Sequence, residues 1–150
     1  MPVIELNRMT SESVGFVYEC LKELRGELQY SAERFSAFVS EHGLLAHPDF
    51  VVYVGHSGRR PIGMLTCNRF VIPRYLGYGI ELEEVVVHPK YQGKGFGKAL
   101  IENFLDHARE DLGLRKVIVK TDDGDKAGEL YSQFFDVMRT TVYAKPMNYL

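Results

Sequence analysis

Apolar positions along the chain keep two rhythms that alternate from segment to segment. Val14, Val17, Leu21 and Leu24 recur at helical spacing, and Phe35, Phe38 and Val39 repeat it after Ser31, a residue type suited to cap a helix start. A short strand is predicted ahead of these helices, at Val3 to Leu6. FVVYVGHSGRRPIGMLTCNRFVI reads as two strands joined at Gly55 to Pro61, and GIELEEVVVHP as a third that Pro89 ends. Strands following one another this closely pair antiparallel. From Gly97 the helical rhythm returns at Leu100, Ile101, Phe104, Leu105 and Ala108. A strand VIVKT, a helix around Ala127, Leu130, Tyr131 and Phe134, and a final strand near TTVYAKPM complete the order β-α-α-β-β-β-α-β-α-β(β). No repeat, low-complexity tract or linker interrupts it, so residues 1–150 are expected to form one domain.

Composition narrows the class of protein more than it identifies one. A chain of 150 residues buries roughly 70% of the surface its unfolded form exposes, enough for a core without disulfide or metal. The net charge of −2 offers no basic excess for a phosphate backbone, so nucleic acid is not an expected partner. MPVIELNRMT lacks the long apolar stretch of a signal peptide or membrane span, and Cys20 and Cys67 stand far apart with no CxxC spacing. The expectation is a cytoplasmic protein away from membranes, with both thiols reduced and buried.

Candidate chemistry concentrates in YQGKGFGKAL, residues 91–100, which lies between the third strand of that group and a helix. Glycines there let several backbone N–H groups and the positive helix end converge on one point, which makes an anion site. Gly93-Lys94-Gly95-Phe96-Gly97-Lys98-Ala99 has the spacing GxGxG, so it fits neither the dinucleotide fingerprint GxGxxG nor the P-loop GxxxxGK[ST]. Taken alone, the glycines also suit a tight strand-to-helix turn with no ligand.

With its flanks the segment resembles the acetyl-CoA signature of the GNAT superfamily of N-acetyltransferases, [Q/R]xxGxG[G/A], here Gln92, Gly95 and Gly97 between Val85-x-Val87-x-Pro89 and KALIENFLDHA. The strand order looks like the GNAT order as well. The fold this implies is α/β (α+β), a single acyl-CoA N-acyltransferase domain with a mixed, mostly antiparallel central sheet flanked by helices. The resemblance further implies acetyl-CoA as cosubstrate, its pyrophosphate cradled by backbone N–H groups of Gln92, Gly93, Lys94, Gly95, Phe96, Gly97 and Lys98. Val85, Val86 and Val87 line the pantetheine arm through main-chain bonds, and Lys94 and Lys98 either add charge or stay solvated. An amine acceptor, small molecule or peptide, is the implied partner, and a homodimer is compatible with the pattern.

Acetyl transfer to an amine asks for two further groups. An ammonium of pKa ≈ 10.4 must lose its proton before it can attack, and the departing thiolate needs a proton or a hydrogen bond. Strict strand alternation places Glu81, Glu83, Val85 and Val87 on one face and Leu82, Glu84 and Val86 on the other. Glu83 is therefore the first candidate base and Glu81 the second, as the resemblance also implies; a wet strand face is the alternative. AGELYSQFF resembles the GNAT helix AxxLYxxxGF, whose tyrosine serves the leaving sulfur, which makes Tyr131 the candidate acid, with a core aromatic as its alternative. The family asparagine seven residues earlier is Gly124 here, and the usual helix-ending glycine is replaced within Phe135-Asp136. The backbone N–H near Val87 is the expected oxyanion donor, and transfer is expected to be direct.

His88 reads as a surface residue, and His42, His47, His56 and His107 show no metal spacing, so no metal is assigned. The resemblance implies an acceptor cleft between residues 25–30 and the region of Arg139 to Thr141, with Arg25, Glu27, Tyr30, Tyr75 and Tyr78 as contacts; amino sugars, polyamines, protein amines and amino acids all stay open. A module that only binds acetyl-CoA is the rival of another class. A nucleotide-binding Rossmann domain is disfavoured by three successive strands before the glycine loop.

Overall fold

The computed structural model of the protein describes residues 2–26, 28–121, 126–138 and 140–147, with the side chains of Arg25 and Lys126 outside the description. The chain forms two compact units, Met1–Lys120 and Thr121–Leu150. The first holds β1 (Glu5–Arg8), α1 (Val14–Arg25), α2 (Ala32–Glu41), β2 (Phe50–Ser57), β3 (Arg60–Ile72), β4 (Gly77–Val87), α3 (Phe96–Arg109) and β5 (Leu114–Val119). The strands make one mixed sheet in chain order, antiparallel from β1 to β4, with β5 parallel to β4. α3 is the crossover that this parallel pair requires.

Each face of the sheet is sealed by helices whose apolar stripes the sequence displays. Val14, Val17 and Cys20 of α1 and Val39 of α2 pack with Val52, Val54, Met64 and Val86 of the strands. Ser31 caps α2 as expected, accepting a hydrogen bond from the Arg34 N–H at 3.1 Å. On the opposite face α3 buries Ala99, Leu100, Ile101 and Phe104. Leu100 lies so close to β2 and β3 that a Cβ at Gly55 would fall 2.5 Å from its Cδ2 and one at Gly63 3.0 Å from its Cδ1. The glycines are what let α3 settle onto the sheet.

The hairpin between β2 and β3 is tighter than the turn residues predict: the strands run through to Ser57 and Arg60, leaving Gly58, at φ 62°, and Arg59 to make the reversal. The second unit contains α4 (Lys126–Tyr131), followed by a turn in which the Tyr131 carbonyl accepts from the N–H groups of Phe134 and Phe135. The helix thus stops before Phe134. No strand forms at 140–147, although TTVYAKPM alternates, because alternation permits a strand and only a paired neighbour makes one.

Cys20 and Cys67 are both buried and both free. Burial pushes each thiol up to about 12, with the charges of Glu19 and Glu23 adding at Cys20. At pH 8 the thiolate fraction is then on the order of 10⁻⁴. Neither thiol should react with a soluble disulfide reagent in the native protein, and both should react once guanidinium unfolds it; fast native labelling would contradict this burial.

Candidate active site

Pro89 ends β4 and starts a 3₁₀ turn, Pro89–Tyr91, that delivers the chain to the glycine loop. Gly93 and Gly95 both take left-handed backbone, at φ 77° and 84°, which L side chains resist, and Gly95 is the N-cap of α3. The first turn of α3 has no side-chain cap and no acidic residue, and its ladder starts with the Ala99 N–H on the Gly95 carbonyl at 3.2 Å. The N–H groups of Phe96, Gly97 and Lys98 therefore precede the helical ladder at the positive end of a 14-residue helix. Gln92 braces this arrangement: its Nε2 donates to the Val87 carbonyl at 3.0 Å, tying the loop back to the strand, and its own N–H is directed to Pro89. Lys94 is exposed and Lys98 half-buried.

β4 enters this loop with one edge open. Its ladder with β5 runs from Tyr78–Leu114 to Leu82–Val119 and stops, whereas on the other side it stays paired with β3 as far as Val87–Gly63. Among the described residues the β4–β5 ladder ends at Leu82, and Val85 to Val87 have no strand partner on the β5 side. A row of main-chain donors and acceptors therefore leads to an uncapped helix start. This junction matches what a ligand with an extended amide arm and an anionic end needs, and it contains Val85, Val86, Val87 and the whole of 92–98.

The carboxylates depart from strict alternation. Leu65 pairs with Val85 but Cys67 pairs with Leu82, so Thr66 alone opposes both Glu83 and Glu84: β4 carries a bulge. One extra residue reverses the phase of everything beyond it. Val85 and Val87 therefore share their face with Leu82, and Glu81 and Glu84 share the other with Val86, the face that α1 and α2 cover. The expectation that Glu81 and Glu83 share a face with Val85 and Val87 is thus corrected. Glu81 is spent on an ion pair, its Oε1 lying 2.9 Å from Lys120 Nζ, and that hydrogen bond holds the Lys120 ammonium above its usual range, with the Glu83 charge a lesser contributor. Glu83 itself is exposed.

Glu84 is half-buried and was not singled out by sequence. Thr66, the one buried polar side chain among the described residues, donates its hydroxyl to Glu84 Oε2 and accepts from the Glu84 N–H at 3.1 Å. Beside them comes the connection between α1 and α2. Tyr18 donates to the Tyr30 carbonyl at 2.7 Å, and Tyr18, Tyr30 and Phe35 form a ring cluster with centroids 6.0 to 6.3 Å apart. The Tyr30 phenol is pushed up by burial first, then by Tyr18 and the Glu84 carboxylate, which places its ring within the field of that carboxylate.

Of the other expected acceptor contacts, Tyr78 is buried beneath the Arg69 guanidinium, 3.5 Å from its ring centroid. Tyr75 is exposed beside Arg74. Both lie at the far end of β4, roughly 20 Å along the strand from Val85. Glu27, Gly124, Arg139 and the Arg25 side chain fall outside the described residues. His88 is half-buried: it stacks on Phe16 at 5.6 Å and, with Arg60, Pro61, Lys90 and Tyr91, lines an open cavity of about 410 Å³ at the end of β4. Tyr131, in the second unit, is the last residue of α4, with its ring 6.4 Å from that of Phe135. Among the described residues no three His, Cys, Asp or Glu side chains gather as metal ligands, and no helix is long and apolar enough to cross a membrane.

Comparison with known proteins gives this geometry a lineage. The model of the acetyltransferase (GNAT) family matches residues 16–135. A ribosomal-protein-alanine N-acetyltransferase from Brucella melitensis biovar Abortus 2308 superposes with a TM-score of 0.77 at 18% identity, over 97% of this chain and 100% of that one. An aminoglycoside acetyltransferase from an uncultured soil metagenomic sample, in complex with sisomicin, gives 0.73 at 16% identity over 96% and 97%. An integron cassette protein from the mobile metagenome of V. cholerae reaches 0.79 at 18% identity over 99% and 94%. No curated protein sequence matches the chain significantly. Identities this low carry the fold and not the acceptor, but the family model spans most of the chain, from α1 through the glycine loop to the turn after α4, and the protein is a member of the GNAT acetyltransferase family.

Proposed function

We propose that the chain, acting as a single domain in the cytoplasm, moves the acetyl group of acetyl-CoA directly to a primary amine of a small molecule or peptide. The observation that carries this reading is the junction of β4 and α3, where a main-chain edge at Val85–Val87 that, among the described residues, β5 does not pair meets helix N–H groups set by two left-handed glycines. The N–H groups of Gly93 to Lys98 would take the pyrophosphate, and the Val85–Val87 edge the amides of the pantetheine arm. A main-chain N–H near Val87 would polarise the thioester carbonyl. A carboxylate of the Glu81–Glu84 segment, for which Glu83 and Glu81 are the sequence candidates, takes the proton from the acceptor ammonium. The freed lone pair attacks the thioester carbon, the C–S bond breaks, the Tyr131 hydroxyl supplies the proton to the thiolate, and the second proton that the nitrogen sheds restores the phenol. A phenol of pKa near 10 and a thiol near 8.5 make Tyr131 a hydrogen-bond donor that thiolate charge calls upon.

Solved relatives that act on aminoglycosides and on a ribosomal-protein alanine supply the acceptor classes to try. Kanamycin, spermidine, tyramine and an alanine-terminated peptide, each with acetyl-CoA, should include at least one amine that releases free thiol. Tyr131→Phe should then lower kcat by roughly 10- to 100-fold, with less change in KM, because the hydroxyl acts on charge that develops at sulfur. The loss should shrink with thioesters of more acidic thiols. Equal rates for wild type and variant on every thioester would leave Tyr131 a packing residue. Tight coenzyme binding without turnover on any amine would make the chain a coenzyme-binding sensor.

A further inference from the structure

We propose that Glu84, aimed by the β4 bulge and held by Thr66, is the carboxylate that takes the proton from the acceptor amine, and that Thr66 is its positioning residue. The inference rests on the amine-acetylation reading above and selects, within it, the carboxylate on the face of Val86, opposite the face on which strand alternation led the base to be expected. Bulges recur beside active sites because one added residue re-aims a side chain without disturbing the strand around it. Here the added residue falls at Glu83–Glu84, at the point where β5 leaves β4 and the main-chain edge opens. The carboxylate that the bulge turns toward the α1–α2 connection is the one that a buried hydroxyl grips.

Thr66 is unusual in its setting. It sits at 4% exposure between Leu65 and Cys67, both buried, in a position where valine would have the same shape and no polar atom to satisfy. Its hydroxyl is used in both directions by one partner, donating to Glu84 Oε2 and accepting from the Glu84 N–H. A base oriented by a third group is the general pattern of an activated proton acceptor. Thr66 engages Oε2, and among the described residues no donor reaches Oε1. The competitors are placed differently: Glu81 is committed to Lys120 at 2.9 Å, and Glu83 is exposed to water. Tyr30, clustered with Tyr18 and Phe35, lies within the field of this carboxylate, and its aromatic surface suits the apolar stem of an alkylamine or the ring of an amino sugar. In the step itself an N–H proton of the ammonium passes to Glu84 Oε1, the nitrogen lone pair forms the new C–N bond, the C–S bond breaks, and the second proton that the nitrogen sheds ends, by way of the Tyr131 hydroxyl, on the departing thiolate. Glu84 later returns its proton to solvent.

The test compares Glu84→Gln, Glu83→Gln, Glu81→Gln, Thr66→Val and Thr66→Ser. Thiol release is followed with acetyl-CoA and whichever of kanamycin, spermidine, tyramine or the alanine-terminated peptide the wild type uses. Glu84→Gln should lower kcat by roughly 10² to 10⁴, the scale of general-base catalysis, with the coenzyme Kd unchanged by calorimetry. Thr66→Val should lower kcat by about tenfold, Thr66→Ser should restore it, and Thr66→Val should cost nothing further once Glu84 is Gln, because the two act as one unit. Circular dichroism on every variant guards against loss of folding, and the serine variant keeps the comparison alive if valine unfolds the strand. Wild-type rates in Glu84→Gln beside a collapse in Glu83→Gln or Glu81→Gln would overturn this assignment alone. A wild type that binds coenzyme and acetylates no amine would overturn the transfer reading, and this assignment with it.

Discussion

Gly95→Val should weaken coenzyme A binding at least about 100-fold while the protein stays folded, a loss that calorimetry reads directly. Gly95 holds φ at 84°, where a β-branched residue is strained by roughly 1–2 kcal/mol, and the easiest relief is a rotation of the peptide planes on either side. Those planes carry the N–H groups that aim at one point, so relief of strain is paid in donor geometry. The new side chain also occupies the ground the pyrophosphate must approach, and its Cβ would meet the Pro2 ring at 3.4 Å on the way. Global stability should fall by no more than that backbone strain, because the position is exposed and no core atom lies within reach. An unchanged Kd in a folded variant would mean that the glycines serve only the turn, and the coenzyme site would have to be sought elsewhere.

How far the sequence reveals the site depends on whether a residue's role is local. The glycine loop was legible because φ values of 77° and 84° exclude most other residues, so the backbone writes itself into the chain. α1, α2 and α3 were legible from their apolar spacing, which no distant contact had to complete. The bulge was not. ELEEVVV alternates as smoothly as any strand, and the extra residue exists only relative to its partner: it takes β3, with Leu65 on Val85 and Cys67 on Leu82, to show that a phase has slipped. Glu84 was passed over because the base was expected on the face of Val85 and Val87, and Thr66 was hidden more completely, since a threonine in a strand is ordinary until its burial and its partner are known. Tyr78 failed in the other direction. Near in sequence to the carboxylates, it lies most of a strand's length from Val85, because proximity along an extended chain is distance in space.

Gly63→Val should have the largest effect on folding, lowering stability by roughly 3–5 kcal/mol and the melting temperature by about 10 °C or more. A Cβ at Gly63 would stand 2.5 Å from the Val86 carbonyl oxygen and 3.2 Å from the Val87 Cα, with Leu100 Cδ1 at 3.0 Å. The kind of atom matters more than the distance. At Gly55 the nearest clash, also 2.5 Å, is with Leu100 Cδ2, the far end of a side chain that can change rotamer. At Gly63 it is the backbone of the neighbouring strand, which can retreat only by opening the β3–β4 ladder. That ladder is the last support of β4 before the loop, since β5 has already left it at Leu82. Damage at Gly63 should therefore reach coenzyme binding as well, but only through folding, with affinity and melting temperature falling together. Gly95→Val should lose affinity with a melting temperature lowered by only a few degrees, so thermal melts and calorimetry on the two variants separate a glycine that positions donors from one that lets two strands meet. A Gly63→Val protein that melts with the wild type would show that β3 and β4 can part without penalty, and with that the fixed register that places Glu84 opposite Thr66 would lose its support.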